Sequence, residues 1–132
     1  MIKIDPFPAV RVNWKNWRFT KRAKEYYEKM NHLRLLIWSD KEKLIKLILS
    51  WDYRIYYYIK MPDSWSNKKK KEMNMEFHKW KPDIDNLYKA TIDTLFYETE
   101  YNDKEIFRIY CIKCRSYEWW IEFCDDNSNI IK

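Results

Sequence analysis

Three aspartates in the second half of the chain could together bind a divalent cation. Asp83 and Asp85 lie two residues apart directly after Pro82, and Asp103 follows about twenty residues later. Two unit charges about 4 Å apart repel by about 4 kcal/mol at an effective dielectric of about 20, so converging carboxylates need a cation between them. Hard oxygen ligands suit Mg²⁺ or Mn²⁺ better than zinc. The three acids therefore predict a magnesium site, provided that folding brings them together.

The local sequence predicts which elements hold these acids. Pro82 favours an extended residue before it, and Asp85 or Asn86 can cap a helix that carries Leu87 on its apolar stripe. We expect Asp103 at the start of the next strand. An aspartate before a helix is commonly only a cap stabilised by the helix dipole. Spacing alone therefore leaves both the metal-binding and the capping interpretations open.

A strongly basic segment directly precedes the acids. Six lysines lie within fourteen residues, namely Lys68, Lys69, Lys70, Lys71, Lys79 and Lys81. A lysine run is commonly a solvated face. Here the chain also carries a formal net charge of +6, which favours an anionic partner. We therefore expect residues 63–81 to form a DNA-contacting loop, in which Trp65 and Trp80 either stack on bases or pack onto the core.

The composition indicates one folded domain spanning residues 1–132. The chain is 46% hydrophobic and 19% aromatic, which argues against disorder. It contains no apolar run of membrane-spanning length and no signal-peptide pattern, so we expect a cytoplasmic protein with no membrane partner. Cys111 and Cys114 form a C-x-x-C pattern on a predicted strand, where residues three apart face opposite sides. We expect buried thiols there and no zinc site.

The order of the predicted elements defines a fold class. A helix runs from Thr20 to Ile37, and the apolar run at 44–51 either extends it or is separated from it by a break near Ser39–Asp40. The remaining elements are a strand at 2–10, a hairpin or loop at 11–19, strands at 54–60, 106–114 and 118–124, a turn at 115–117, a helix after Asn86 and a frayed tail at 125–132. This order predicts an α+β domain with a small mixed sheet and two main helices.

The region from residue 61 to residue 113 carries several motifs in a fixed order. Residues 64–69 read S-W-S-N-K-K, residues 81–89 read K-P-D-I-D-N-L-Y-K, residues 93–95 read D-T-L and residues 102–106 read N-D-K-E-I. This pattern resembles the RusA family of Holliday junction resolvases, in family order and at nearly family spacing. The nine-residue block is far more restrictive than an isolated Asp-x-Asp.

The resemblance implies roles for individual residues. It implies that Asp83, Asp85 and Asp103 are the catalytic, metal-binding acids and that Lys89 is the essential basic residue beside them. The implied cofactor is Mg²⁺, with Mn²⁺ as a substitute. It also implies a RusA-like α+β fold.

Two departures from the family pattern affect this site. Asn102 stands where the family usually has the first acid of an Asp-Asp pair, and residues 96–100 replace a turn that contains glycine. Asp93 lies on the same helical face as Asp85 and Lys89. It either forms a structural ladder with them or orients the metal-binding side chains through hydrogen bonds.

The resemblance also implies a homodimer that acts on branched DNA. A two-fold pair of sites would deliver the two symmetric nicks that resolve a four-way junction. We therefore expect a Mg²⁺-dependent structure-specific endodeoxyribonuclease of DNA recombination and repair, in a bacterial or phage-infected cell. Two alternatives remain open at this point: a flap or branched-DNA nuclease that uses the same acids, and a non-catalytic basic DNA-binding protein.

Overall fold

The computed structural model describes residues 1–10, 21–50 and 52–125. The helices and strands in chain order are α1 (Lys21–Leu36), α2 (Lys41–Ile48), β1 (Tyr53–Lys60), α3 (Asn67–Met73), α4 (Ile84–Phe96), β2 (Cys111–Ser116) and β3 (Trp120–Asp125). Two short 3₁₀ turns lie at Trp38–Asp40 and Asp103–Glu105. The expectations for residues 11–19, for Thr20 and for the tail beyond residue 125 fall outside the described residues.

The three strands form one mixed sheet in the order β2-β1-β3. β1 pairs in parallel with β2 and antiparallel with β3, so that Ile55 lies between Cys111 and Phe123. The aromatic and β-branched residues of β1 suit a central strand, and Tyr53 and Tyr57 are almost completely buried. The predicted α+β class with a small mixed sheet and two main helices is confirmed.

Two tyrosines of β1 set the rotation of α4 against the sheet. The hydroxyl of Tyr57 lies 2.7 Å from Thr91 Oγ1, and the hydroxyl of Tyr53 lies 2.9 Å from that of Tyr88. Buried hydroxyl groups need such partners, because an unpaired one costs about 1–3 kcal/mol. With this face of α4 on the sheet, its opposite face, which carries Asp85, is exposed.

In the N-terminal half, the strand expected at residues 2–10 and the break expected near Ser39–Asp40 have different outcomes. Residues 2–10 do not form a strand; Ile2 makes an isolated bridge to Ile121. Pro6 and Pro8 have no amide hydrogen to donate, which prevents a continuous ladder there. The helix ends at Leu36 and the 3₁₀ turn separates it from α2, so the break near Ser39–Asp40 is the correct alternative.

Three element boundaries in the second half also differ from expectation. β2 starts at Cys111, opposite Ile55 of β1, and not at residue 106. Asp103 lies before this strand, in a 3₁₀ turn that Asn102 caps. The turn predicted at 115–117 lies after Ser116, and β3 starts at Trp120.

The expectation of buried thiols in the C-x-x-C pattern is confirmed for Cys114 and wrong for Cys111. Cys114 and Cys124 are buried, while Cys111 is half-buried, and all three are free thiols. Burial raises the pKa of Cys111 to about 12, so this thiol stays protonated. No helix in the described part of the chain is both long and apolar enough to cross a membrane.

Candidate functional site

Two of the three candidate acids lie at the N-terminus of α4. Asp83 is the N-cap residue, in place of the expected Asp85 or Asn86, with extended backbone angles and no side-chain capping bond. Asp85 lies in the first turn, where its Oδ1 accepts a 2.9 Å hydrogen bond from the Asn86 amide. Both aspartates are exposed. The positive end of the helix dipole stabilises their charge and leaves their outer oxygens available to a ligand.

Lys113, which no sequence motif singled out, holds the turn in front of these acids. Its Nζ donates hydrogen bonds of 2.7 Å to the carbonyl oxygens of both Trp80 and Pro82. Burial lowers the pKa of Lys113, and the negative charge of Asp83 acts in the opposite direction. The available signal was a cation between the apolar residues Ile112 and Cys114 of this strand. Its target, about thirty residues earlier in the chain, could not be inferred from spacing.

Lys89 and Asp93 follow along the exposed face of α4. Lys89 Nζ lies 3.4 Å from Asp93 Oδ1, one helical turn further on. Asp93 Oδ2 accepts a 3.1 Å hydrogen bond from the Tyr26 hydroxyl of α1. Burial, followed by the charge of Asp93, raises the pKa of Tyr26, so that this hydroxyl remains a donor. Asp93 therefore pairs with Lys89 on the same helix, and its bond to Tyr26 joins α4 to α1.

Asp103 is exposed on the 3₁₀ turn beside the middle of α4. It lines a cleft of about 250 Å³ together with Lys89 and Asp93. Asn102 caps the same turn. Its side-chain Oδ1 accepts a 3.1 Å hydrogen bond from the Lys104 backbone amide, and its backbone amide donates a 2.8 Å hydrogen bond to Glu105 Oε2. Asn102 thus has a capping role at the position where the family pattern differs.

The three candidate acids do not meet within one chain. Among residues 1–10, 21–50 and 52–125, no group of three or more His, Cys, Asp or Glu side chains could hold a metal ion. Asp103 lies beside Asp93, and a helix rise of 1.5 Å per residue puts Asp93 about 12 Å along α4 from Asp85. The exposed carboxylates have the donor chemistry that Mg²⁺ prefers, but their arrangement in a single chain does not fit a three-acid site. The metal assignment of Asp83, Asp85 and Asp103 stays a prediction.

The basic segment is more ordered than expected, because part of it is helical. Lys68, Lys69, Lys70 and Lys71 lie on α3, whose N-cap Ser66 accepts a 3.1 Å hydrogen bond from the Lys69 amide. Lysine favours helices, and a serine cap satisfies one of the free amides of the first turn. Lys69 Nζ lies 4.0 Å from the centroid of the Trp65 ring.

The chain after α3 is attached to the outer edge of β2. The Met75 amide donates to the Arg115 carbonyl at 2.8 Å, and the Arg115 amide donates to the Glu76 carbonyl at 2.8 Å. The His78 amide donates to the Lys113 carbonyl at 3.0 Å. Burial, with Lys113 and Arg115 nearby, lowers the pKa of the His78 side chain, which favours its neutral form. The segment between the basic helix and the acidic start of α4 is thus bonded to β2 along residues 75–82. Lys79 and Lys81 on this segment are exposed.

One family model matches almost the whole chain. It is described as endodeoxyribonuclease RusA and covers residues 3–122. Comparisons with curated proteins and with solved structures each found no match. RusA proteins are Holliday junction resolvases and are generally dependent on divalent metal ions. The chain therefore belongs to the RusA family and is an endodeoxyribonuclease, a hydrolase of branched DNA.

Proposed function

We propose that this chain resolves four-way DNA junctions by paired symmetric nicks, as a Mg²⁺-dependent homodimer in the cytoplasm of a bacterial or phage-infected cell. The observation that carries the proposal is the family match over residues 3–122, which includes every candidate acid and the basic segment. A four-way junction presents two equivalent strands. A two-fold dimer matches it, because its two identical sites are related by the same symmetry.

We assign Asp83, Asp85 and Asp103 as the residues that would hold Mg²⁺, with Mn²⁺ as a substitute. Their exposure supports this assignment, since each can reorient without breaking a buried contact. Convergence of the three requires Asp103 to approach the start of α4, from the same protomer or from its partner. The three acids should converge only when a cation binds between them. Without it, each pair of carboxylates about 4 Å apart repels by about 4 kcal/mol at an effective dielectric of about 20. A bound divalent ion supplies Lewis acidity for phosphodiester hydrolysis.

Lys89 would bind the scissile phosphate. It lies one helical turn after Asp85 on the exposed face of α4. Both side chains of the Lys89–Asp93 ion pair are exposed to solvent. Such pairs on a helix contribute only about 0.3–0.5 kcal/mol to the free energy of folding. Lys89 can therefore exchange this partner for a phosphate oxygen at little cost. There its positive charge would offset the negative charge that develops during hydrolysis.

The lysines of the basic segment would supply affinity without sequence preference. Those assigned to phosphate contacts are Lys68, Lys69, Lys70, Lys71, Lys79 and Lys81. Contacts between lysine and the DNA backbone release counterions and do not read base edges. The protein would accordingly recognise the shape of the junction more than its sequence.

The test compares three labelled substrates, a four-way junction, a flap and a linear duplex, with and without Mg²⁺. We expect symmetric nicks in the junction, only with the metal. Asp85→Asn should lower the cleavage rate at least about 100-fold, the scale of losing one preorganised charge from a catalytic site, while junction affinity is retained. Asp5→Asn, which alters another exposed aspartate outside both the candidate site and the basic segment, is the matched control and should cut normally.

Other outcomes of the same experiment would contradict the proposal. Preferential cutting of the flap would indicate a general branched-DNA nuclease. Nicking by the Asp85→Asn variant in Mg²⁺ would remove Asp85 from the site. An absence of cleavage with both Mg²⁺ and Mn²⁺ would indicate a protein that only binds DNA.

A further inference from the structure

Two exposed aromatic side chains lie between the basic helix α3 and the acidic start of α4. Trp80 is 72% exposed and Phe77 is 65% exposed. Both line one open cleft of about 630 Å³, together with Arg115 and Met73. Large aromatic side chains normally contribute much of the buried area of a protein. Two of them left in water beside a candidate active site are available to a ligand.

The backbone beneath these rings is held in place. The Trp80 carbonyl accepts the 2.7 Å hydrogen bond from Lys113, and Phe77 forms a bridge to Cys114 of β2. Both aromatic residues are therefore attached to the edge of the sheet and do not lie on a free loop. Ligand binding between them therefore costs little conformational entropy of the chain, which favours binding.

Trp65 provides a contrast within the same basic segment. Lys69 lies 4.0 Å above its ring and Arg115 lies 5.8 Å from it, and the side chain is half-buried. Trp65 thus packs against its own chain. Within the described part of the chain, no ring or cation contacts Trp80 in this way. Stacking on a base requires an open π-face, and Trp80 provides one.

The basic segment around the cleft favours nucleic acid as the occupant. Trp80 is flanked by exposed Lys79 and Lys81, and Arg115 lines the cleft. Glu72 and Glu76 also line it, but the surrounding segment carries six lysines against these two acids. An aromatic site within such a surface suits a group that has a flat apolar ring and an attached phosphate, which is the chemistry of a nucleotide.

The position of Trp80 relates the stacked base to the candidate acids. Trp80 precedes Asp83 by three residues, so their Cα atoms lie within about 11 Å of each other. That distance corresponds to about three nucleotides at 3.4 Å each. A base held by Trp80 would therefore belong to the strand that approaches the acids, a few nucleotides from the scissile phosphate.

We infer that Trp80, with Phe77 lining the same cleft, stacks on a nucleobase that has left the helical stack at the branch point of the DNA. A linear duplex keeps its bases stacked on each other and offers no such base. The site would therefore favour branched DNA over duplex. This inference rests on the proposed function, because it requires branched DNA on the surface that carries the acids.

The first test measures affinity without cleavage, in EDTA, for a four-way junction and for a linear duplex of matched sequence. Trp80→Ala should weaken junction binding about 5- to 100-fold, the range reported by alanine substitution of stacking aromatics, and change duplex binding less than about twofold. Trp80→Phe should retain most of the affinity, because it keeps an aromatic face. Trp38→Ala is the matched control, since Trp38 is 66% exposed on the turn between α1 and α2. An equal loss on both DNAs, or no loss on the junction, would overturn the inference.

The second test locates the contact directly. A junction with 5-iodouracil at the branch point is irradiated with the wild-type protein in EDTA, and the cross-linked peptide is identified by mass spectrometry. A cross-link at Trp80 or Phe77 is the expected result, and cross-links only at other residues contradict the stacking site. Both tests are independent of nicking. Cross-linking at Trp80 without any cleavage in Mg²⁺ would therefore refute the proposed function alone, and cleavage with the cross-link elsewhere would refute the stacking site alone.

Discussion

At the scale of single residues, Lys113 connects the sheet to the candidate acids. It lies on β2, and its ammonium group donates to two carbonyl groups of the turn that leads into Asp83. Hydrogen bonds from a charged donor contribute about 1.5–3 kcal/mol, and partial exposure reduces that amount. The turn therefore has a defined path, and Asp83 begins α4 at a defined place.

Replacing Lys113 with methionine tests this role. Lys113→Met should lower the free energy of unfolding by about 1–2 kcal/mol, because two carbonyl groups lose a charged donor. It should also slow junction cleavage, because the residues before Asp83 lose their attachment to β2. Urea denaturation and a cleavage time course are the measurements. Lys43→Met, on the exposed side of α2, is the control; a Lys113→Met variant with unchanged stability and rate would show that other contacts hold the turn.

Asn102 shows how one departure from a family pattern can have a local reason. Asn102 and Glu105 form a capping box around the 3₁₀ turn. The Asn102 side chain accepts a hydrogen bond from the Lys104 backbone amide, and the Glu105 carboxylate accepts one from the Asn102 backbone amide. This arrangement orients the turn that carries Asp103. An asparagine in this position therefore helps to orient the turn that carries the neighbouring acid.

At the scale of elements, the short helix α3 makes its four lysines unequal. Lys68 and Lys71 are exposed, while Lys69 covers the ring of Trp65. A seven-residue helix has little stability of its own, so its cap at Ser66 and the attachment of the following chain to β2 keep it in place. The helix presents its two free lysines in a defined direction, as a disordered run would not.

This inequality predicts different salt dependences for DNA binding. The double variant Lys68→Gln with Lys71→Gln should reduce the slope of log affinity against log salt by up to about 1.8, since each lost phosphate contact removes about 0.9. Lys69→Gln should change it less. Binding to a four-way junction, measured from about 50 to 200 mM salt, gives these slopes. Lys43→Gln with Lys46→Gln on α2 is the control, and an unchanged slope in the α3 double variant would contradict a role of α3 in phosphate contacts.

At the scale of the whole molecule, the candidate acids lie along α4 without converging in one chain. Asp83 and Asp85 lie at its start, and Asp103 lies near its middle beside Asp93. The proposed activity therefore depends on an arrangement that forms with DNA, with metal or with a second protomer. Paired nicking requires two such sites in one particle.

Mixed dimers test whether the two sites of the proposed homodimer act as a pair. Wild-type chains and Asp85→Asn chains, co-expressed with different tags, should yield mixed dimers that nick only one strand of a junction. On a plasmid with an extruded cruciform, wild-type dimers should then produce linear DNA and mixed dimers should produce nicked circles. Linear DNA from the mixed dimers at the wild-type rate would show that one active site suffices for both cuts.

Much of the architecture and part of the site follow from local sequence. Pro82, the helical periodicity after it and the nine-residue block together predict that Asp83, Asp85 and Lys89 belong to one helix start, because capping and periodicity act over a few residues. The β-branched and aromatic content of residues 54–60 likewise predicts a strand there. The lysine run between β1 and α4 was expected to be a loop, but residues 68–71 lie on α3. The charge of a lysine run is more apparent in a sequence than the helix propensity of lysine.

Only the tertiary structure decided how distant residues meet. The bond of Lys113 to the turn before Asp83, and the location of Asp103 beside Asp93, join residues that are far apart along the chain. Such contacts depend on which strands pair and in what register, and a shift of one residue in β2 would turn Lys113 to the other face of the sheet. The sequence by itself determined the chemical groups and their family, whereas the pairing of β1 with β2 decided which of them share a surface.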